Sequence, residues 1–162
     1  MTQPQPTLDA PAALPAALRL GPVHLIVADL GRSVDWYERA LGLRVHRRAP
    51  GQEAELGDGA DTVLVLHEDP NARPAGRHAG LYHYALLFPS REELARVALR
   101  VAAAHAPVQG ASDHGTHEAI YLPDPDGNGI ELAAVIEHRH PGLPVLLTTG
   151  SAQRERRAAQ LL

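Results

Sequence analysis

The chain has 162 residues, with 19 acidic side chains against 15 basic ones, every one of them arginine, for a net charge of −4. That length suits one ordinary core and requires no second globular domain. Lacking cysteine and lysine, it excludes disulfides, thiolate nucleophiles, Cys-ligated metal sites, Schiff-base lysines and a P-loop, and an acidic balance without a basic stripe argues against nucleic acid as a partner.

Residues 1–20 hold four prolines and no charged-then-apolar leader pattern, so they read as a flexible N-terminal tail rather than a signal peptide. No stretch is long enough to span a bilayer, so no membrane partner is expected. With cysteine absent, a cytoplasmic setting is expected. The first firm element is the strand-like run Val23-His24-Leu25-Ile26-Val27. Asp29 to Ser33 supplies helix-start chemistry, and Val34, Tyr37, Ala40 and Leu41 recur at helical spacing until Gly42. Three short strands follow, Leu43 to Arg48, Glu53 to Leu56 and Thr62 to His67, parted by Pro50-Gly51 and Gly57-Asp58-Gly59.

Asn71 to Gly80 reads as a linker. The order then repeats: a strand from Leu81 to Phe88, Ser90 as cap with Glu93 in the capping-box position, and a helix to about His105. Pro107 to Gly110 reads as a short strand. The hairpin His117 to Leu122 and Ile130 to Ile136 closes the unit around Asp124-Pro125-Asp126-Gly127-Asn128, whose residues suit a tight turn. The chain thus divides into a tail (1–20), a domain (21–137) of two βαβββ modules (21–70 and 80–137), and a C-terminal tail (138–162) with a helical, arginine-rich end. His46, His78, His105, His117, His138 and His140 fit no pattern and read as surface or loop residues.

Each module alone leaves one sheet face bare, so two must pack side by side with their concave faces around one cavity. The fold class is α+β, an eight-stranded open, U-shaped barrel. A histidine stands second in an apolar strand just before a helix in each module, as His24 in Val23-His24-Leu25 and His83 in Tyr82-His83-Tyr84. Glu131 is a carboxylate on an apolar strand, costly there without a partner; a metal ion or an arginine would each serve. His24, His83 and Glu131 are expected to point inward from three strands.

Paired modules with a histidine on the first strand of each and a glutamate on the last resemble the vicinal oxygen chelate superfamily of glyoxalases, bleomycin resistance proteins and extradiol dioxygenases. The run His114-x5-Ile120-Tyr121-x2-Asp124-Pro125-x-Gly127-x3-Glu131 is similar to the extradiol dioxygenase signature, departing from it at Ser112. Residues from Gly80 to His114 resemble the first half of catechol 2,3-dioxygenase-like proteins, which usually carry four such modules. The resemblance implies metal ligands His24, His83 and Glu131, with His114 moving a proton and Tyr121 hydrogen-bonding substrate or adduct.

Two imidazoles and one carboxylate leave three positions open on a divalent ion, the pattern of non-haem Fe(II) oxygenases, with Mn(II), Zn(II) and Ni(II) as alternatives. The four-ligand glyoxalases carry a further glutamate, for which the matching stretch here is Val63 to Leu66, without a carboxylate; His67, by the two-residue period, would then face the cavity as a supporting group. The implied activity is ring cleavage of a small catechol-like or vicinal-oxygen substrate by dioxygen, in a homodimer. The rivals are a glyoxalase-like lyase or isomerase and a metal-free protein that sequesters a drug-sized molecule.

Overall fold

A computed structural model describes residues 20–49, 52–74 and 81–135; both tails beyond these limits, with His78, His138 and His140, lie outside the described residues. The first module runs β1 (Val23–Val27), α1 (Leu30–Trp36) continuing into a π-helical turn (Tyr37–Leu41), β2 (Arg44–Ala49), β3 (Glu53–Gly57) and β4 (Thr62–Glu68). The second runs β5 (Tyr84–Phe88), α2 (Arg91–Ala103), β6 (Gly110–Asp113), β7 (His117–Pro123) and β8 (Gly129–Val135). Each module makes its own four-stranded mixed sheet, ordered β1-β4-β3-β2 and β5-β8-β7-β6. The βαβββ repeat read from the sequence is present, and among the described residues no closed barrel forms.

Local chemistry sets the element ends. The Asp29 carboxylate accepts from the Arg32 amide at 2.9 Å to cap α1, and Ser90 Oγ accepts from the Glu93 amide at 3.3 Å to cap α2. Gly42 takes φ of 76° where the π-helical turn ends, a conformation that costs glycine nothing. Two strands differ from the sequence reading by more than one residue. The last strand before the hairpin is Gly110–Asp113, not Pro107 to Gly110: the ladder to β7 pairs Gly110 with Tyr121 and Asp113 with Glu118, and available partners outweigh the weak strand propensity of Gly-Ala-Ser-Asp. Likewise β5 starts at Tyr84 rather than Leu81, since its parallel ladder to β8 begins with Tyr84 opposite Ile130.

Alternation sorts each strand between core and open face. Leu25 and Val27 are buried on the helix side of β1, whereas His24 and Ile26 are exposed on the other. One apolar cluster joins the modules: Leu25, Leu30, Val34, Tyr37, Leu64 and Leu66 from the first and Tyr84, Val97, Leu122, Ile130 and Leu132 from the second. At roughly 1.5–3 kcal/mol for each large apolar side chain buried, this shared core binds the halves into one unit. Among the described residues no helix is long and apolar enough to cross a membrane.

The turn between β7 and β8 also clasps the first module. Asp126 Oδ1 accepts from the Ala28 amide at 3.1 Å and from Arg32 Nη2 at 2.6 Å, while Ser33 Oγ donates to Oδ2 at 3.1 Å. Asp124 accepts from the amides of Asp126 and Asn128 on Oδ1, at 2.9 and 2.8 Å, and from the Tyr37 hydroxyl on Oδ2 at 2.9 Å. Burial pushes the phenols of Tyr37 and Tyr84 well above their ordinary range, and both stay protonated donors. The bond to Asp126 raises Arg32 further above its usual value. The carboxylates that read as turn formers therefore also fix β8, with Glu131, against the first module.

Candidate metal centre

Glu131 sits in the middle of β8, opposite Ala85 on β5 and Tyr121 on β7. Its chain neighbours Ile130 and Leu132 fill the core, so the carboxylate takes the opposite face, yet it is only 5% exposed. Burying it is offset by polar contacts on both oxygens. His83 Nε2 lies 2.8 Å from Oε2. On Oε1, the Tyr121 hydroxyl donates at 3.3 Å and His117 Nε2 stands at 3.4 Å. His83 is itself 7% exposed. Its approach depends on Gly129, where a Cβ would fall 2.2 Å from the Tyr82 carbonyl oxygen and 3.0 Å from His83 Cβ.

His114 and Tyr121 also meet, with Nε2 2.8 Å from the hydroxyl. The β6–β7 connection makes this happen. Gly115 turns the chain at φ of 79°, its amide donates to Asp113 Oδ1 at 2.8 Å, and the His114 amide donates to the His117 carbonyl at 3.0 Å. The two imidazoles consequently stack, with centroids 4.6 Å apart and planes 28° apart. One ligating atom from each of His114, His117 and Glu131 lies within 4.8 Å of the other two.

Of the five residues singled out from sequence, His83, Glu131, His114 and Tyr121 thus form one connected group, with Glu131 and Tyr121 on the second sheet and His83 and His114 just outside its strands. His24 stands on the first sheet. Its Nδ1 is 2.9 Å from His67 Nε2 and the rings stack at 13°, while His67 Nδ1 faces Glu53 Oε2 at 3.6 Å. Among the described residues His24 belongs to no set of three ligating atoms drawn together this closely. It does line a cleft of about 430 Å³ that reaches the second module at Leu81, Asp126 and Asn128.

Two placements correct the sequence reading. His117 is not a stray surface histidine; its side chain is 13% exposed and faces Glu131. The signal was available, since Tyr121, Ala119 and His117 share a face by alternation and Tyr121 pairs with Glu131. Counted from the histidines, moreover, the first-module counterpart of Glu131 is His67 rather than a residue of Val63 to Leu66. Glu131 is two residues beyond Gly129, which abuts His83; His67 is two beyond Val65, which pairs with His24.

The sequence profile of the family described as "Glyoxalase/Bleomycin resistance protein/Dioxygenase superfamily" matches residues 19–132. The chain belongs to that superfamily. A curated relative, the catechol-2,3-dioxygenase of Bacillus subtilis (strain 168), is 39% identical over 117 residues, which are 71% of this chain and 41% of the relative. The chain therefore matches less than half the length of that protein. Among solved structures, a glyoxylase/bleomycin resistance protein/dioxygenase domain from Frankia sp. EAN1pec superposes with a TM-score of 0.66 at 21% identity, covering 74% of this chain and 99% of that one. Lactoylglutathione lyase from Agrobacterium tumefaciens does so with 0.58 at 22% identity, covering 74% and 94%. At such identities these two show the superfamily fold alone.

The donors suit the divalent metal that dioxygenases of this superfamily bind. Imidazole with carboxylate is the set that Fe, Mn, Zn and Ni accept, and His83 Nε2 and Glu131 Oε2 at 2.8 Å are close to the roughly 3.0 Å between adjacent ligands at right angles on bonds of about 2.1 Å.

Proposed function

We propose that this chain is an extradiol-type ring-cleavage dioxygenase acting on a small catechol-like diol, with His24, His83 and Glu131 holding Fe(II). The observation that carries the reading is the buried His83–Glu131 pair, linked through the Tyr121 hydroxyl to His114. A similarity of 39% to a catechol-2,3-dioxygenase adds support. His24 is the counterpart of His83 in the first module, and the reading requires it to exchange its contact with His67 for the ion.

Bound there with open positions, Fe(II) would supply a site where a vicinal diol and dioxygen are held together and exchange electrons. The protein's own groups do the rest. His114, hydrogen-bonded to the Tyr121 hydroxyl, takes a proton from the diol and returns it as the ring opens, a task for an imidazole at neutral pH. Tyr121, bridging His114 and Glu131 Oε1, orients the diol. His67, flanked by His24 and Glu53, supports the first-module side. The proposal includes a cytoplasmic homodimer, in which Ile26 and Leu87, 61% and 55% exposed, are covered by a second copy; light scattering at increasing concentration checks this.

The deciding experiment loads the full chain with Fe(II) anaerobically, adds catechol and admits air to an oxygen electrode. One dioxygen consumed per ring opened is expected. Metal retention without oxygen uptake would move the reading to a glyoxalase-like lyase or isomerase. Tight binding of a planar molecule with no metal retained would move it to a sequestering protein.

A further inference from the structure

We propose that Glu131 serves two cation sites, and that the second, made by His114, His117 and its Oε1 oxygen, takes a zinc-class divalent ion that blocks the reaction. The inference rests on the reading of Glu131 as a metal ligand through Oε2. The two oxygens face different imidazoles: Oε2 meets His83 at 2.8 Å, and Oε1 meets His117 at 3.4 Å. His83 is not part of the close set formed by His114, His117 and Glu131. One ion therefore does not gather all three imidazoles, whereas a carboxylate bridging two ions uses both of its oxygens.

The second group has the features of a ligand set. At 3.4 Å, His117 Nε2 and Glu131 Oε1 lie beyond a good hydrogen bond but match the roughly 3.4 Å edge of a tetrahedron with bonds of about 2.05 Å, the geometry of zinc with nitrogen and oxygen donors. The other ring nitrogen of His117, Nδ1, is 3.1 Å from Thr116 Oγ1, so the ring is held from behind with Nε2 turned to the carboxylate. The Gly115 turn stacks His114 on His117 without help from an ion. Binding there takes the His114 imidazole away from Tyr121 and places a positive charge against the shared carboxylate. The site therefore competes with proton transfer rather than assisting it, and excess zinc inhibits.

Metal-free full-length protein is dialysed against Zn(II), and titrated separately with Co(II) under argon, whose visible absorption is strong when tetrahedral and weak when octahedral. Two equivalents are expected for the wild type, one of them tetrahedral. His117→Ala and His117→Gln should each retain one equivalent and lose the strong Co(II) band, while His24→Ala loses the other equivalent and keeps the band. His117→Gln preserves bulk and polarity should the alanine variant misfold. In iron-loaded enzyme, excess zinc should depress oxygen uptake at least tenfold, and His117→Gln should escape most of that inhibition. Equal stoichiometry in wild type and both His117 variants would overturn the second site. A loss of metal in the His117 variants with none in His24→Ala would support it while contradicting His24 as a ligand.

Discussion

The two modules share one order of elements but put different chemistry at matched places. In the second, the position two residues past the contact with the first-strand histidine holds Glu131, which with His83 is less than a tenth exposed. In the first, it holds His67, part-exposed, beside His24 on an open face. A buried carboxylate attracts cation ligands because it is expensive to leave unpaired, whereas two imidazoles at a surface satisfy each other and water. On the proposed reading the scaffold supplies places, and the second module supplies the carboxylate that makes one of them a metal site. On that reading the first module contributes His24, with His67 and Glu53 behind it.

That asymmetry is easiest to break at Glu131. Glu131→Gln removes the charge and keeps the shape, and is expected to lower oxygen uptake by about 10³-fold or more by abolishing metal retention, read by elemental analysis. For the proposed proton carrier, His114→Ala should cost about 10²–10⁴ in kcat while iron remains bound, because the proposed role begins after the metal is in place. The support function comes next. Asp126→Ala leaves Ala28, Arg32 and Ser33 without their acceptor, and should destabilise the fold by roughly 2–3 kcal/mol in urea unfolding.

Tyr37→Phe should cost less, about 1–2 kcal/mol, since Asp124 keeps Asn128 as a donor while the buried Tyr84 hydroxyl loses Tyr37 as its acceptor. It also carries a pH signature. Burial raises the Tyr37 phenol in the folded chain, so the unfolded state ionises first. That stabilisation is complete below about pH 10 and is lost as pH climbs above it. Thermal melts of wild type should therefore fall more steeply above pH 10 than those of Tyr37→Phe.

Much of this was legible from residue patterns. Turn residues, caps and the two-residue alternation located the modules; the signature located His114, Tyr121 and Glu131, and the repeated histidine position located His83, and these four do meet. What escaped reading depended on pairing between distant strands. Nothing near Pro107 announces that Gly110–Asp113 is the strand, because the partner strand β7 decides it. His117 shares a face with Tyr121 by alternation, but only the pairing of Tyr121 with Glu131 shows that this face carries the carboxylate. The clasp of Asp126 onto α1 spans 94 residues to Arg32, beyond what a turn motif can disclose. The separate setting of His24 beside His67 likewise belongs to the sheet register.

The most direct test of the account is the iron content of the reconstituted full chain, wild type against His83→Ala, after passage through a desalting column. Iron is expected to be retained by the wild type and less than a tenth of it by the variant, with circular dichroism unchanged. Iron held equally by both would contradict it, because the buried imidazole facing Glu131 would then have no part in holding the ion.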